Sequence, residues 1–466
     1  MLLGAQREAA EKRHAVTMHR RLRAPVVVVL AVALLVVIGL QMTGAVALFP
    51  TRTSSAPAGS LGEGMEAGPV FPEPEPWTDV EWQAAVSNPL GPPDVLRRVD
   101  GVVAAGDLVL AWGRTPMPGR NQFNDMGAVF ASVDGLAWRT IPVDHGVEAP
   151  NASTILGISA GPTGYLAVGS VCCEPERSAL WHSADGLDWQ RVELRGDFDP
   201  ARTMPWRVAA APGGWVILAS SRVGMDAVLL FSEDGHEWEA VLTLAGGRRR
   251  MAASDVARTA TGLVVVGTVE ADGSYDGGVW HSVDGRHWDR LAADDDVIAG
   301  DSEVQFQRVV AHAGGLLVTG IEGTADQRQQ CEQLLGMVAS VGPVRDQPGA
   351  DFTSCMPGEE RAWTSADGGD WRVVGPAPGV APIEFRVTVA GGPGLILLGE
   401  TSAPASPDTA LFTSADGAVW NVMDDGGPMT RDVAIGLVVR GRELLAITER
   451  WDGATTTLHV WRGRAN

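Results

Sequence analysis

From about residue 77 onward the chain alternates short apolar runs with turns rich in glycine, proline and acidic residues. The most uniform runs are GYLAVGS, GWVILAS, GLVVVGT, GLLVTGI and GLILLGE, which begin at Gly164, Gly214, Gly262, Gly315 and Gly394. Their nearly continuous apolar character suits β-strands covered on both faces, as between stacked sheets. The flanking segments supply further strands. In one period, Thr154–Ala160, Gly164–Val171, Ala179–Ser183 and Leu187–Leu194 read as four strands, here lettered A to D, with glycine and proline between them.

A nine-residue string marks every period: FASVDGLAW, WHSADGLDW, LFSEDGHEW, WHSVDGRHW, WTSADGGDW and FTSADGAVW. Its terminal tryptophans are Trp138, Trp189, Trp238, Trp288, Trp371 and Trp420, separated by 51, 49, 50, 83 and 49 residues. A period of this length with strand-like content predicts a blade array. The last segment supplies three strands, around Ala434–Val439, Glu443–Glu449 and Thr456–Trp461. The missing fourth is DVEWQAAVS, Asp79 to Ser87, which is similar to LDWQRVEL and HEWEAVL of other periods. The expected fold is therefore all-β: a seven-bladed β-propeller over residues 77–466, closed by pairing of its N- and C-terminal segments. Closure removes the strand edge that an open array would expose.

The first aromatic and the serine of the string lie two apart on strand C, on one face. Asp and Gly form the C–D turn, where glycine tolerates positive φ and the Ser and Asp oxygens accept turn N–H groups. The last tryptophan offers a large ring to the layer between blades. These needs are local and recur in every blade, whereas catalytic groups converge on one point, so Asp134, Asp185, Asp234, Asp284, Asp367 and Asp416 are read as structural. His182 and His281, each beside a serine on a strand, point away from it and form no Ser–His dyad.

The string resembles the Asp-box (BNR) repeat of sialidase-like propellers. It carries Ser132/Asp134/Gly135/Trp138 and the five sets that match them, and it has one residue fewer between Asp and Gly than the usual family pattern. The resemblance spans about residues 77–466 and implies a turn motif on the C–D side, with any active site on the opposite face. On that face the starts of innermost strands bear Arg98, Arg207, Arg308 and Arg386, which are candidates for binding an anion or carboxylate and also for a structural role between blades. Sialidase-type chemistry would need a tyrosine nucleophile backed by Glu. Tyr165 falls at an A–B turn, on the wrong face; Tyr275 falls in a B–C loop on the right face, with no evident Glu partner in the sequence. The acidic loops Asp197–Pro200, Ala293–Glu303 and Met423–Gly427 are placed on this face as well. Asp294, Asp295, Asp296, Asp301 and Glu303 are the set that would bind calcium, and a solvated acidic turn is the simpler account. No other cofactor or metal is expected. The insertion at about 322–360, a B–C loop, accounts for the 83-residue gap and is the best candidate recognition element.

Charge and targeting complete the picture. A net charge of −21 argues against nucleic-acid binding. Residues 1–23 form a basic cytoplasmic segment, 24–49 an uncharged run long enough to span a bilayer, and 50–76 a Pro-, Gly-, Ser- and Glu-rich linker. The basic residues before the span and glutamates after it place the rest outside the cytoplasm. Residues 24–49 are thus read as a single-pass transmembrane signal-anchor at the cell membrane. A cleaved signal peptide with Ala45-Val46-Ala47 at its cut site is the competing reading. Export permits disulfides, and Cys331–Cys355 is the expected pair. Cys172 and Cys173 remain either a vicinal disulfide or free thiols. Two functions follow: a non-catalytic extracytoplasmic module that binds or scaffolds a protein, peptide or glycan, expected as a monomer, or a sialidase-like glycoside hydrolase using the face opposite the turns.

Overall fold

The computed structural model describes residues 77–465 apart from 79, 84–85, 92–97, 117–124, 145–152, 172–176, 222–225, 245–252, 272–273, 331–332, 334–357, 375–382, 392–393, 402–407, 425–428, 430–431 and 452–455. The run 24–49 expected to span the membrane and all four cysteines, with the expected Cys331–Cys355 pair, lie outside the described residues. No helix among the described residues is long and apolar enough to cross a membrane.

Seven antiparallel sheets follow one another along the chain. Blades 1 to 6 run Arg98–Ile141, Ser153–Arg191, Thr203–Leu244, Asp255–Leu291, Glu303–Val374 and Ile383–Asp424, each with four strands in sequence order. Blade 7 takes strands A to C from Val433–Arg440, Glu443–Trp451 and Thr456–Ala465, and its outer strand from Val80–Trp82 and Val86–Ser87. Val80 pairs with Ala465 and Trp82 with Gly463, so the ring closes as the repeat arithmetic requires. The A strands contact one another in succession around the ring.

The core is not one mass but seven apolar layers, one between each pair of adjacent blades. Alternation along strand B divides its side chains between two layers. In blade 1, Leu110 and Trp112 enter the layer shared with blade 2, while Val109 and Ala111 enter the layer shared with blade 7. Hence the B runs read as continuous apolar stretches rather than alternating ones. Each fully buried Val or Leu stabilises the fold by about 1.5–3 kcal/mol.

Strand D departs from the expected form. In blade 2 it is only Gln190–Arg191, not Leu187–Leu194. The chain leaving a blade turns early and reaches the outer edge of the next one. Val143 bridges Trp189, and Asp144 N–H donates to the Trp189 carbonyl at 3.0 Å. Arg195–Gly196 pairs in parallel with Glu237–Trp238, and the Asp197 carboxylate accepts Ala240 N–H at 3.0 Å. The Asp295 carboxylate accepts Trp371 N–H at 2.9 Å. At three junctions, then, an exit chain pairs with the backbone at or beside the tryptophan that ends the next blade's turn, covering part of an exposed strand edge.

Candidate functional site

The two faces of the propeller are built differently. On the turn face, all six Ser-x-Asp-Gly-x-x-Trp turns adopt one geometry. The glycine φ lies between +76° and +86°, a region that a Cβ disfavours. The serine Oγ accepts the glycine N–H at 2.8–2.9 Å. One Asp oxygen accepts the N–H two residues on at 2.8–2.9 Å. The tryptophan does not simply begin strand D: its Nε1–H turns back to the glycine carbonyl at 2.8–3.1 Å. These N–H groups hold the six carboxyls below the ordinary carboxylate range. Donation from Ala137, Leu187, Glu237 and Gly369 leads at Asp134, Asp185, Asp234 and Asp367. At Asp284 and Asp416 burial is the largest single influence and pulls upward, and the turn's hydrogen bonds together outweigh it. The oxygens of all six aspartates are engaged by the turn itself.

The turns also wedge between blades. Gly186 faces Leu108 and Leu110 of blade 1, Gly285 faces Phe231 and Val216 of blade 3, and a Cβ on Gly135 would overlap the Leu445 side chain of blade 7. Arg286 lies 4.0 Å over the Phe231 ring and donates to Glu233 at 2.6 Å. His182 Nε2 lies 3.0 Å from the Thr163 carbonyl, away from Ser183, so the adjacent His and Ser form no dyad.

Blade 7 has no such turn, because its C and D strands come from opposite ends of the chain. Trp77, 1% exposed, fills the place. Its N–H donates to Thr413 Oγ1 at 2.6 Å and its Nε1–H to the Gly394 carbonyl at 3.1 Å, both in blade 6. At the preceding junction the equivalent Thr364 hydroxyl donates instead to the Asp416 carbonyl of the next turn, at 3.4 Å.

On the opposite face the four arginines are not equivalent. Among the described residues six of the A strands carry a bulge near their start, flanked by Val99/Gly101, Ile155/Gly157, Pro205/Arg207, Phe306/Arg308, Glu384/Val387 and Ala434/Gly436. Arg207 and Arg308 both follow the bulge; Arg98 precedes it, and Arg386 lies within it, its side chain outside the described residues. A bulge shifts the register, so residues with similar neighbours in sequence are aimed differently. Arg207 Nε donates to Asp255 at 2.9 Å, and the other Asp255 oxygen accepts Val309 N–H at 3.1 Å, tying blades 3, 4 and 5 together. Arg308 donates to the Gln307 carbonyl at 3.3 Å. Arg98 Nε lies 3.0 Å, and Arg114 Nε 3.2 Å, from the buried Asp100 carboxylate. Burial pushes the carboxyl of nearby Glu449 above its ordinary range, with Arg98 opposing and Asp100 reinforcing. Asp100, Asp255 and Glu449 have no motif around them, and only the strand register brings them to the arginines.

Tyr275 is 5% exposed and begins strand C of blade 4, Ser274–Ser282, rather than lying in a loop. It does face a glutamate: Glu270 is its direct cross-strand partner. Of the proposed calcium set, Asp295 spends both carboxylate oxygens on N–H groups, of Val297 and Trp371. Asp197 and Asp295 are drawn to the outer edge of the following blade instead of the face opposite the turns. Among the described residues no group of three or more metal-ligating side chains gathers. The blade-5 insertion leaves strand B at Gly323 and returns at Gly358, on the face opposite the turns, with Arg361 Nε 3.3 Å from Glu322 at its base. Most of its interior, with Cys331 and Cys355, lies outside the described residues.

No protein-family model matches the chain, and no curated protein sequence does. Solved structures do. The chain is similar to the sialidase of Trypanosoma rangeli in complex with the inhibitor DANA, at 11% identity over 90% of this chain and 59% of that one, TM-score 0.35. It thus spans about three fifths of that sialidase's length. The β-propeller domain of the Trilobed protease from Pyrococcus furiosus matches at 12% identity over 77% and 96%, TM-score 0.43. Polysaccharide lyase Uly1 matches at 10% identity over 78% and 89%, TM-score 0.46.

Proposed function

We propose that the chain is a membrane-anchored extracytoplasmic propeller that binds or scaffolds a protein, peptide or glycan through the face opposite its turns, without chemistry at the arginines there. The observation that carries this reading is the condition of those arginines. Arg207 already holds buried Asp255, and Arg98 lies against buried Asp100. At both, a substrate carboxylate would meet a guanidinium whose charge a buried carboxylate already offsets, which weakens its pull on a second anion. The insertion on a rigid scaffold is the recognition element. The uncharged run 24–49 supports single-pass anchoring, and the six turns support the resemblance to Asp-box propellers.

One observation favours a second reading. Glu270 stands directly across from Tyr275, the pairing that a tyrosine nucleophile of a sialidase-like hydrolase would need. Solubilised full-length protein and its Tyr275→Phe variant, assayed on a fluorogenic sialoside, separate the two. The binding reading expects no turnover by either; turnover by the parent that Tyr275→Phe abolishes overturns it.

A further inference from the structure

The closing blade gathers a set of side chains that neither reading uses. Asp432 sits at the entry to strand A, its carboxylate fully buried. One oxygen accepts Arg450 Nε at 2.5 Å. The other accepts the Thr448 hydroxyl at 2.6 Å and lies 3.0 Å from His459 Nδ1. Trp461 Nε1–H donates to Thr448 Oγ1 at 2.9 Å, which fixes that hydroxyl as a donor toward Asp432. A carboxylate receiving Arg and Thr donors acts as an acceptor, so in the neutral ring the His459 proton sits on Nδ1 and the lone pair on Nε2. The ring is only 11% exposed and packs edge-on against Trp461, with centroids 5.8 Å apart.

A serine lies beside it. Ser87, exposed on the closing strand, is paired directly with His459. Asn88 N–H donates to the Leu458 carbonyl at 2.7 Å, which makes the adjacent 87/459 position a non-hydrogen-bonded pair. Side chains at such positions share a face and approach most closely, with Cβ atoms roughly 4.5–5.5 Å apart. Thr448 pairs with His459 and Thr457 with Arg450, so Arg450 projects from the same face and adds positive charge to it.

We propose that Ser87, His459 and Asp432 form a serine-nucleophile site for small carboxylic esters, assembled only when the ring closes. His459 Nε2 takes the Ser87 proton as Oγ attacks the acyl carbon. His459 then returns the proton to the departing alcohol, leaving an acyl-serine. Water, deprotonated by the same nitrogen, releases the acid and restores Ser87. Ser87 and His459 are the catalytic residues, and Asp432 is a positioning residue that sets the tautomer. The site lies on blade 7 and uses neither Tyr275 nor any residue of the insertion, so partner binding or sialoside turnover can fail or hold independently of it.

The test is active-site labelling of solubilised full-length protein with a fluorophosphonate. Ser87 Oγ bonds phosphorus, fluoride leaves, and the proton passes to His459. Peptide mass spectrometry should find one adduct, on Ser87, absent in Ser87→Ala, whose exposed position leaves folding intact. His459→Gln should slow labelling roughly 10²–10⁴-fold, the usual worth of a general base. On p-nitrophenyl acetate, Asp432→Asn should lower kcat with KM unchanged, which a structural role alone would not produce. No adduct, an adduct on another residue, or equal labelling of His459→Gln at an unchanged melting temperature overturns the proposal.

Discussion

Six junctions of the ring are closed by the same turn and the seventh by a tryptophan from the opposite end of the chain. At the six, the contacts are redundant: serine, aspartate, glycine and tryptophan each satisfy a backbone group within a few residues of themselves. At the seventh, Trp77 reaches across more than 300 residues to Thr413 and Gly394. A local turn can form before its blade docks, whereas the seam forms only with the whole ring. The difference teaches that the repeated motif is not what closes the propeller, although it is what makes the propeller visible in the sequence.

The largest expected effect is therefore at the seam. Trp77→Ala removes a nearly inaccessible ring and its indole N–H bond to the Gly394 carbonyl, and thermal melting should show a loss of about 3–5 kcal/mol. Glycine-to-alanine changes in the turns give smaller effects and separate the two tasks of the motif. Gly235 has φ +79° with nothing nearer than 3.7 Å to an added Cβ. Gly235→Ala should thus cost only the left-handed strain, about 1–2 kcal/mol. Gly135 has nearly the same φ, +76°, but its Cβ would meet Leu445. Gly135→Ala should cost a further ~1–3 kcal/mol of overpacking. Equal losses by denaturant unfolding would mean that the turn does not wedge between blades.

The smallest effect depends on pH. His312, at the end of strand A of blade 5, accepts Gly314 N–H on Nδ1 at 3.1 Å, and its Nε2 lies beside Gly417 at the blade 5/6 junction. Burial lowers its pKa to about 4, against the opposing pull of Asp416. The unfolded chain thus binds this proton first on acidification. Stability is full above the ordinary histidine range and falls as pH drops from there toward about 4. His312→Gln should flatten the profile of melting temperature in that window, and an unchanged slope would assign the acid sensitivity to other groups.

The blade count, the B strands and the closing strand were legible because they rest on apolar periodicity and on an exact repeat. The opposite face was not, and the arginines show why. They look alike beside their sequence neighbours, but a bulge lies after Arg98, around Arg386 and before Arg207 and Arg308, and nothing in the composition announces a bulge. The acidic loops misled for a related reason: Asp197 and Asp295 serve backbone N–H groups of the next blade, a task that leaves no spacing signature. Glu270 was within five residues of Tyr275, yet only hairpin register identifies it as the facing residue. Asp432 precedes one strand, Thr448 and His459 lie on two others and Ser87 on a fourth, so no local pattern relates them.

Pairing Val80 with Ala465 also orders events in time. Blades 1 to 6 can condense as they leave the ribosome, but residues 80–87 must wait, unpaired, until residues 456–465 have been made. During that interval the waiting strand and the edge of the unfinished blade are each free to pair with another molecule. At high synthesis rates this predicts chains that exchange their first strands, each ring sealed by its neighbour. Crowding during biogenesis would then reveal itself as intertwined pairs whose blades are all native.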